Sequence, residues 1–160
     1  MPSAPAPRLT YGDSIFIVGA LALAAAPHAT RMPWWISGLA IVFGGWHLYI
    51  ARMRLPFPGR WATALMAVGA AAAVYLQFRT LFGRDPGIAL LIAMLALKML
   101  EMRSTREATL LLALGFFLVL TNFLFSQTIP TALYLLACVW LITTAMTRLQ
   151  QRPEAPDARL

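Results

Sequence analysis

The chain has 160 residues, of which 60% are hydrophobic and 12% are charged, and its formal net charge at pH 7 is +7. A water-soluble domain carries roughly 25% charged residues, so this composition indicates a protein whose solvent is lipid. The positive charges lie between apolar segments and do not form one basic face, which argues against a nucleic-acid partner.

Six apolar segments predict an all-α fold, a polytopic transmembrane bundle of about six helices within residues 1–149. A bilayer crossing takes about 20 residues, and each segment is close to that length. The end of the first segment resembles a signal-peptide cleavage region, but the segments behind it favour a retained helix that stops at Pro27. The predicted helices cover residues 11–26, 33–52, 60–78, 86–102, 105–126 and 130–149, and residues 150–160 form a polar cytoplasmic linker or tail.

Two of the predicted helices begin with capping residues. Asp85 precedes Pro86, and an aspartate cap followed by proline at the first helical position is typical of a helix start. Ser104 is followed three residues later by Glu107, the spacing of a capping box, in which each side chain binds the other residue's backbone amide. We therefore predict helix caps at Asp85 and Ser104.

The distribution of positive residues predicts the orientation of the bundle. If the N-terminus is cytoplasmic, ten Lys and Arg residues fall on the cytoplasmic side and three on the other side. Cytoplasmic loops of membrane proteins are enriched in Lys and Arg. Both termini are therefore predicted to be cytoplasmic.

The charged segment 98–107 between the fourth and fifth helices, called the elbow here, is the main candidate site. Its structural charge cluster consists of Lys98, Glu101, Arg103, Arg106 and Glu107. Lys98 and Glu101 are three residues apart and share one helix face. One interpretation is a proton- or ion-coupled site, and the other is a set of surface charges with Lys98 extended along its own stem. The second is favoured because these residues begin or end helices, whereas transport carboxylates usually sit near mid-membrane.

Polar residues inside the apolar segments are the remaining candidates. Asn122 and Gln127 would line a path in a transporter, but hydrogen bonds across helices are the simpler interpretation. His28 and His47 are expected at opposite membrane surfaces, too far apart to share a metal ion. Cys138 has apolar neighbours and is expected to be an inert packing residue. We expect no catalytic residue, no metal and no cofactor site in this chain.

Several segments together carry a family resemblance. They are residues 27–34, 82–87, 97–103, 106–107 and 116–127. The most specific part is a Leu-Lys-Met-Leu-Glu run at the elbow, followed by Phe-Phe-Leu and Phe-Leu-Phe runs. Their order resembles the N-terminal membrane domain of the TgpA-like bacterial transglutaminase family, most clearly from about Thr80 to Gln127.

The resemblance implies a longer protein of the bacterial inner membrane, in which the helices precede a periplasmic transglutaminase-like domain with a Cys-His-Asp triad. None of that triad maps onto this chain, because Cys138 lies in a predicted membrane helix and neither histidine has a suitable neighbour. The catalytic portion is therefore expected beyond Leu160.

This interpretation makes the chain a membrane anchor that is inactive alone. Its expected partners are the lipid bilayer, the periplasmic domain of the parent chain and other membrane proteins. The alternative is a stand-alone small transporter or channel, or a scaffold subunit for envelope assembly.

Overall fold

The computed structural model describes residues 9–53, 55–56, 58–80, 82–123, 125–126 and 128–151. Over these residues it confirms the predicted all-helical fold with six helices. The helices are α1 (Tyr11–Ala29), α2 (Trp34–Met53), α3 (Arg60–Phe78), α4 (Arg84–Glu101), α5 (Thr105–Asn122) and α6 (Ile129–Gln150).

The helices form two groups of three. One group is α2, α3 and α4, and the other is α1, α5 and α6; α1 also contacts α2, and α4 also contacts α5. Successive helices alternate in direction, which gives the bundle two ends. The elbow end holds residues 98–107, and the far end holds the described residues 30–33, 79–80, 82–83, 123, 125–126 and 128.

Helix α4 is the most enclosed helix, with ten of its eighteen residues buried. The other five helices are long and apolar enough to cross a membrane. The sequence predicted six membrane-spanning segments, and α4 is the helix that does not qualify as one by its composition. Charged residues occupy both its first and its last turn. Its apolar stretch is short, and it packs against α2, α3 and α5.

Helix α1 does not stop at Pro27, contrary to the prediction. It continues to Ala29 with the proline inside its last turns. Proline has no N–H, so the carbonyl of Leu23, four residues earlier, loses its helical donor. The hydroxyl of Tyr134 on α6 donates to that carbonyl at 2.7 Å. A neighbouring helix thus satisfies the group that proline frees, which is a known way to keep proline within a membrane helix.

The predicted helix cap at Asp85 is wrong. Gly83 occupies the N-cap position with φ of 140°, a conformation that favours glycine, and α4 begins at Arg84. Asp85 lies in the first turn, where its negative charge still suits the helix dipole. Pro86 is tolerated in that turn because its missing N–H would have no helical acceptor there.

Helix α5 ends earlier than the predicted residue 126. The backbone amides of Phe125 and Ser126 both donate to the carbonyl of Asn122, which closes the last turn. The predicted polar residue Gln127 lies outside the described residues. This early ending releases Phe125 from the helix and lets its ring fold against the end of α1.

Gly115 of α5 faces the side chain of Leu21 on α1. A Cβ atom added at Gly115 would lie 2.5 Å from Leu21 Cδ2, so a larger residue would require the Leu21 side chain to move. Leu21, Cys138 and Ile142 belong to the buried core that α1, α5 and α6 share.

Candidate functional sites at the two ends of the bundle

At the elbow end, Glu101 is the hub of a short polar network. Its Oε2 lies 2.7 Å from Lys98 Nζ, which is the predicted pair three residues apart. Its Oε1 accepts a hydrogen bond of 2.5 Å from the hydroxyl of Thr63 on α3. Thr63 is buried, so this bond joins α3 to the last turn of α4. Thr63 was not among the residues identified in the sequence, because no local pattern links positions so far apart.

The rest of the elbow is held by backbone contacts. The Glu107 amide donates to Ser104 Oγ at 3.4 Å, and Glu107 Oε2 accepts from the Ser104 amide at 3.1 Å, so the structure contains a capping box at these residues. The same oxygen accepts from the Arg103 amide at 2.7 Å. Arg103 Nη2 donates to the carbonyl of Pro58 at 3.0 Å, while Arg106 is exposed. These contacts fix the geometry of the elbow.

A cavity of about 750 Å³ lies beside the elbow, between the start of α1 and the end of α2. Ser14, His47, Arg52 and Arg103 contribute polar groups to its lining. His47 was predicted to be a surface residue, but it is only 1% exposed. Its imidazole interacts with the backbone of Met99 on α4.

At the far end, His28 is also buried rather than at the surface. It is fully enclosed, and its Nε2 lies 3.3 Å from the carbonyl of Leu118 on α5. Its ring meets the edge of Phe125 with 5.9 Å between the ring centres. Its Nδ1 has no hydrogen-bond partner among the described residues. His28 thus joins the end of α1 to α5, which the sequence did not predict.

The ring of Phe125 also contacts two arginine side chains at the far end. The guanidinium carbon of Arg31 lies 5.1 Å from the centre of the ring, and that of Arg84 lies 4.5 Å from it. These distances are in the range of cation–π contacts. Arg84 has a further, loose ion pair of 3.8 Å with Asp85, and both side chains are more than half exposed. Both arginines are therefore accessible from outside the bundle.

Asn122 is buried close to this group. It lies four residues after Leu118, hence on the same face of α5 and one helical turn nearer the far end. Its side chain was predicted to bond across helices, but neither its amide nitrogen nor its oxygen has a partner among the described residues. A buried polar group without a partner costs about 1–3 kcal/mol, so the far end contains a local destabilising element.

The structure brings together segments that the sequence only ordered along the chain. Residues 27–34, residues 82–87 and the described part of 116–127 meet at the far end, through His28, Arg31, Arg84, Leu118 and Phe125. These segments carry the family resemblance, which is the signal that could have identified their residues as a group. Sequence spacing alone could not, because the group depends on where α5 ends.

The described residues contain no group of three or more His, Cys, Asp or Glu side chains placed to hold a metal ion. Cys138 is a free thiol buried on α6. It lies in the core shared by α1, α5 and α6, which agrees with the packing role expected for it.

The fold and its two ends define an apolar bundle of six helices with charged residues at the helix ends. The chain belongs to the TgpA N-terminal domain family, which matches residues 16–160. It is also similar to the protein-glutamine gamma-glutamyltransferase of Pseudomonas aeruginosa, with 36% identity over 137 residues. That match covers 86% of this chain and 20% of the relative, so the chain spans about a fifth of the relative's length. No solved structure matches the chain.

The family assignment confirms the resemblance that the sequence motifs indicated. It places this chain at the N-terminal part of a transglutaminase-associated architecture.

Proposed function

We propose that this chain is the membrane-embedded N-terminal domain of a transglutaminase-like protein of the bacterial inner membrane. In this role it anchors a periplasmic catalytic domain and has no transglutaminase activity alone. Two findings together support the proposal. Five helices are able to cross a membrane, and the match to the relative covers only 20% of the relative's length.

The exposed surface of the outer helices supports membrane insertion. Large apolar side chains lie exposed along α3 and α6, including Leu65, Val68, Leu133, Leu136 and Trp140. Apolar patches of this extent on a water-soluble protein promote association. In a bilayer the same side chains face hydrocarbon, so no further partner is needed to cover them.

Helix α4 fits the same proposal although it is the least apolar helix. The apolar middle of α4 packs within the bundle, and the charged first and last turns lie at its two ends. Charged groups at the membrane surface cost far less than charged groups in the hydrocarbon. We propose that α4 is the sixth membrane segment, held by its neighbours rather than by its own contact with lipid.

The charge distribution supports the orientation. The elbow end carries Lys98, Arg103 and Arg106 together with Arg52 and Arg148 from the ends of α2 and α6. The far end carries three arginines, at positions 31, 79 and 84. The positive-inside bias therefore favours a cytoplasmic elbow end and a periplasmic far end.

Site-directed labelling tests this topology. In a Cys138→Ser background, single cysteines are placed at two exposed positions, Thr80 at the far end and Gln151 after α6. A membrane-impermeant maleimide should label Thr80→Cys in intact spheroplasts and label Gln151→Cys only after permeabilisation. The reverse pattern would overturn the orientation, and release of the protein by alkaline carbonate would overturn insertion.

The anchor role is tested by isolating the native polypeptide. An antibody raised against the purified chain should recover from membranes a polypeptide much larger than 17.6 kDa that contains a transglutaminase-like domain with a Cys-His-Asp triad. The purified 160-residue chain should not incorporate an amine into a glutamine substrate. Amine incorporation by that chain would refute the proposal that it is inactive alone.

A second candidate is a stand-alone transporter, favoured by the buried polar residues Ser14 and His47 in the lining of the cavity beside the elbow. Against it, Glu101 is bound to both Lys98 and Thr63 at a helix end. Proton or solute flux in reconstituted vesicles, abolished by Lys98→Ala or Glu101→Ala, would establish this candidate. A stable co-purified envelope protein would instead favour a scaffold subunit.

A further inference from the structure

An apolar groove of about 410 Å³ runs along the outside of the bundle between α1, α2 and α4. Its floor includes the buried Ala96 and Met99 of α4, and its rims include the exposed Ala26 of α1 and Gly45 of α2. Because the residues on both rims are small, the groove is open to the outside of the bundle. The volume is within the range of sites that hold small molecules, roughly 300–1,000 Å³.

The length of the groove matches one leaflet of a bilayer. Along α1 it extends from Val18 to Ala29, near the far end. At 1.5 Å of rise per residue this is about 16 Å, close to half of a hydrocarbon core of about 30 Å. The groove therefore runs from near the middle of the proposed membrane toward the far side, and on α4 it ends at Ile92, eight residues or about 12 Å before Arg84.

Two positive side chains lie beyond that end of the groove. Arg31 lies in the turn that joins α1 to α2, and Arg84 begins α4, so both are adjacent to the helices that form the groove. Each guanidinium lies about 5 Å from the centre of the Phe125 ring, so the two are no more than about 10 Å apart. Asp85 is the acidic side chain at this end among the described residues, and its loose, exposed pair with Arg84 leaves a positive balance.

We infer that the groove binds one anionic phospholipid of the outer leaflet. One acyl chain lies against α4, between α1 and α2, and the phosphate lies at the guanidinium groups of Arg31 and Arg84. Guanidinium groups bind phosphate through paired, charge-assisted hydrogen bonds, and their stacking on Phe125 keeps them oriented. The inference rests on the membrane insertion given under the proposed function, but it does not depend on a catalytic domain.

Native mass spectrometry of the full chain in detergent tests the inference. The purified protein is titrated with phosphatidylglycerol, with phosphatidylcholine of the same acyl chains, and with glycerol phosphate, which has the anion but no acyl chain. Phosphatidylglycerol should bind with one-to-one stoichiometry and about tenfold more tightly than phosphatidylcholine, because only its headgroup has net negative charge. Glycerol phosphate should not compete at the same concentration.

Four variants separate the headgroup contact from the chain contact. Arg31→Ala with Arg84→Ala should remove the preference for phosphatidylglycerol, and Ala26→Phe should weaken binding of both lipids by filling the groove. Arg148→Ala is the control for the arginines, since Arg148 stacks on Phe16 at the elbow end. Ala72→Phe, at an exposed position of α3 outside the groove, is the control for Ala26→Phe. Neither control should change lipid binding.

Equal affinity for the two phospholipids, or an Ala26→Phe variant that binds like the unmodified chain, would overturn the inference. Competition by glycerol phosphate would reduce the site to an anion site without a chain contact and would overturn it as well. Alkaline carbonate extraction of the same variants reports insertion separately. A membrane-inserted protein without lipid preference would refute this inference and leave the anchor proposal intact.

Discussion

The charged residues of the elbow and the buried polar residues His28 and Asn122 of the far end differ in how their polar atoms are satisfied. At the elbow end, Glu101 and Glu107 accept hydrogen bonds from neighbouring side chains and backbone amides. At the far end, polar atoms of His28 and Asn122 are buried without partners among the described residues. A helix junction gains stability from satisfied groups, whereas unsatisfied buried groups are often kept for a role outside stability.

The largest predicted effect is at the elbow end. Glu101→Ala should lower the free energy of unfolding by about 2 kcal/mol, because it removes both the hydrogen bond from the buried Thr63 hydroxyl and the ion pair with Lys98. Thermal unfolding in detergent, followed by circular dichroism, measures the change. The control is Asp85→Ala at the far end, whose exposed, loose pair with Arg84 should contribute about 0.5 kcal/mol or less.

Equal losses in Glu101→Ala and Asp85→Ala would contradict the comparison of the two ends. Such a result would mean that the Thr63 contact adds nothing in detergent.

The second prediction has the opposite sign. Asn122→Leu should raise the free energy of unfolding by about 1 kcal/mol, because a side chain of similar size replaces two buried polar atoms that have no partner among the described residues. Thr121→Val is the matched control, since the Thr121 hydroxyl does have an acceptor, the carbonyl of Leu118 at 2.7 Å. It should not stabilise the protein. A less stable Asn122→Leu variant would show that the asparagine is satisfied in the bilayer-mimicking environment.

The third prediction concerns the capping box. Glu107→Ala should lower the free energy of unfolding by about 1 kcal/mol, because the amides of Arg103 and Ser104 lose their acceptor at the start of α5. Glu107→Gln keeps an acceptor oxygen and should lose less. The same unfolding assay distinguishes the two, and an unchanged Glu107→Ala profile would argue that water replaces the carboxylate without cost.

The smallest predicted effect tests how Pro27 is tolerated in α1. Tyr134→Phe should cost about 0.6 kcal/mol, a typical value for a hydrogen bond between membrane helices, since the Leu23 carbonyl would lose its donor. In a Pro27→Ala background, the alanine amide can serve that carbonyl, so Tyr134→Phe should cost less there. Additive effects of the two substitutions would show that the hydroxyl does not compensate for the proline.

Those features of this protein that depend on local chemistry can be predicted from its sequence. Apolar segments of sufficient length predicted six helices, because each helix satisfies its own backbone. The spacing of Ser104 and Glu107 predicted the cap of α5, and that of Lys98 and Glu101 predicted their pair, because both arrangements form within one or two helical turns.

The burial of polar groups and the contacts that they make depend on how the helices pack, and local sequence patterns do not predict them. Thr63 reaches Glu101 from another helix, Tyr134 keeps α1 helical through Pro27, and Gly83 moves the start of α4 ahead of Asp85. The far-end group depends on where α5 ends, since that point allows the Phe125 ring to reach His28. Such contacts join residues distant in the chain, and their energies depend on the packing of whole helices rather than on local spacing.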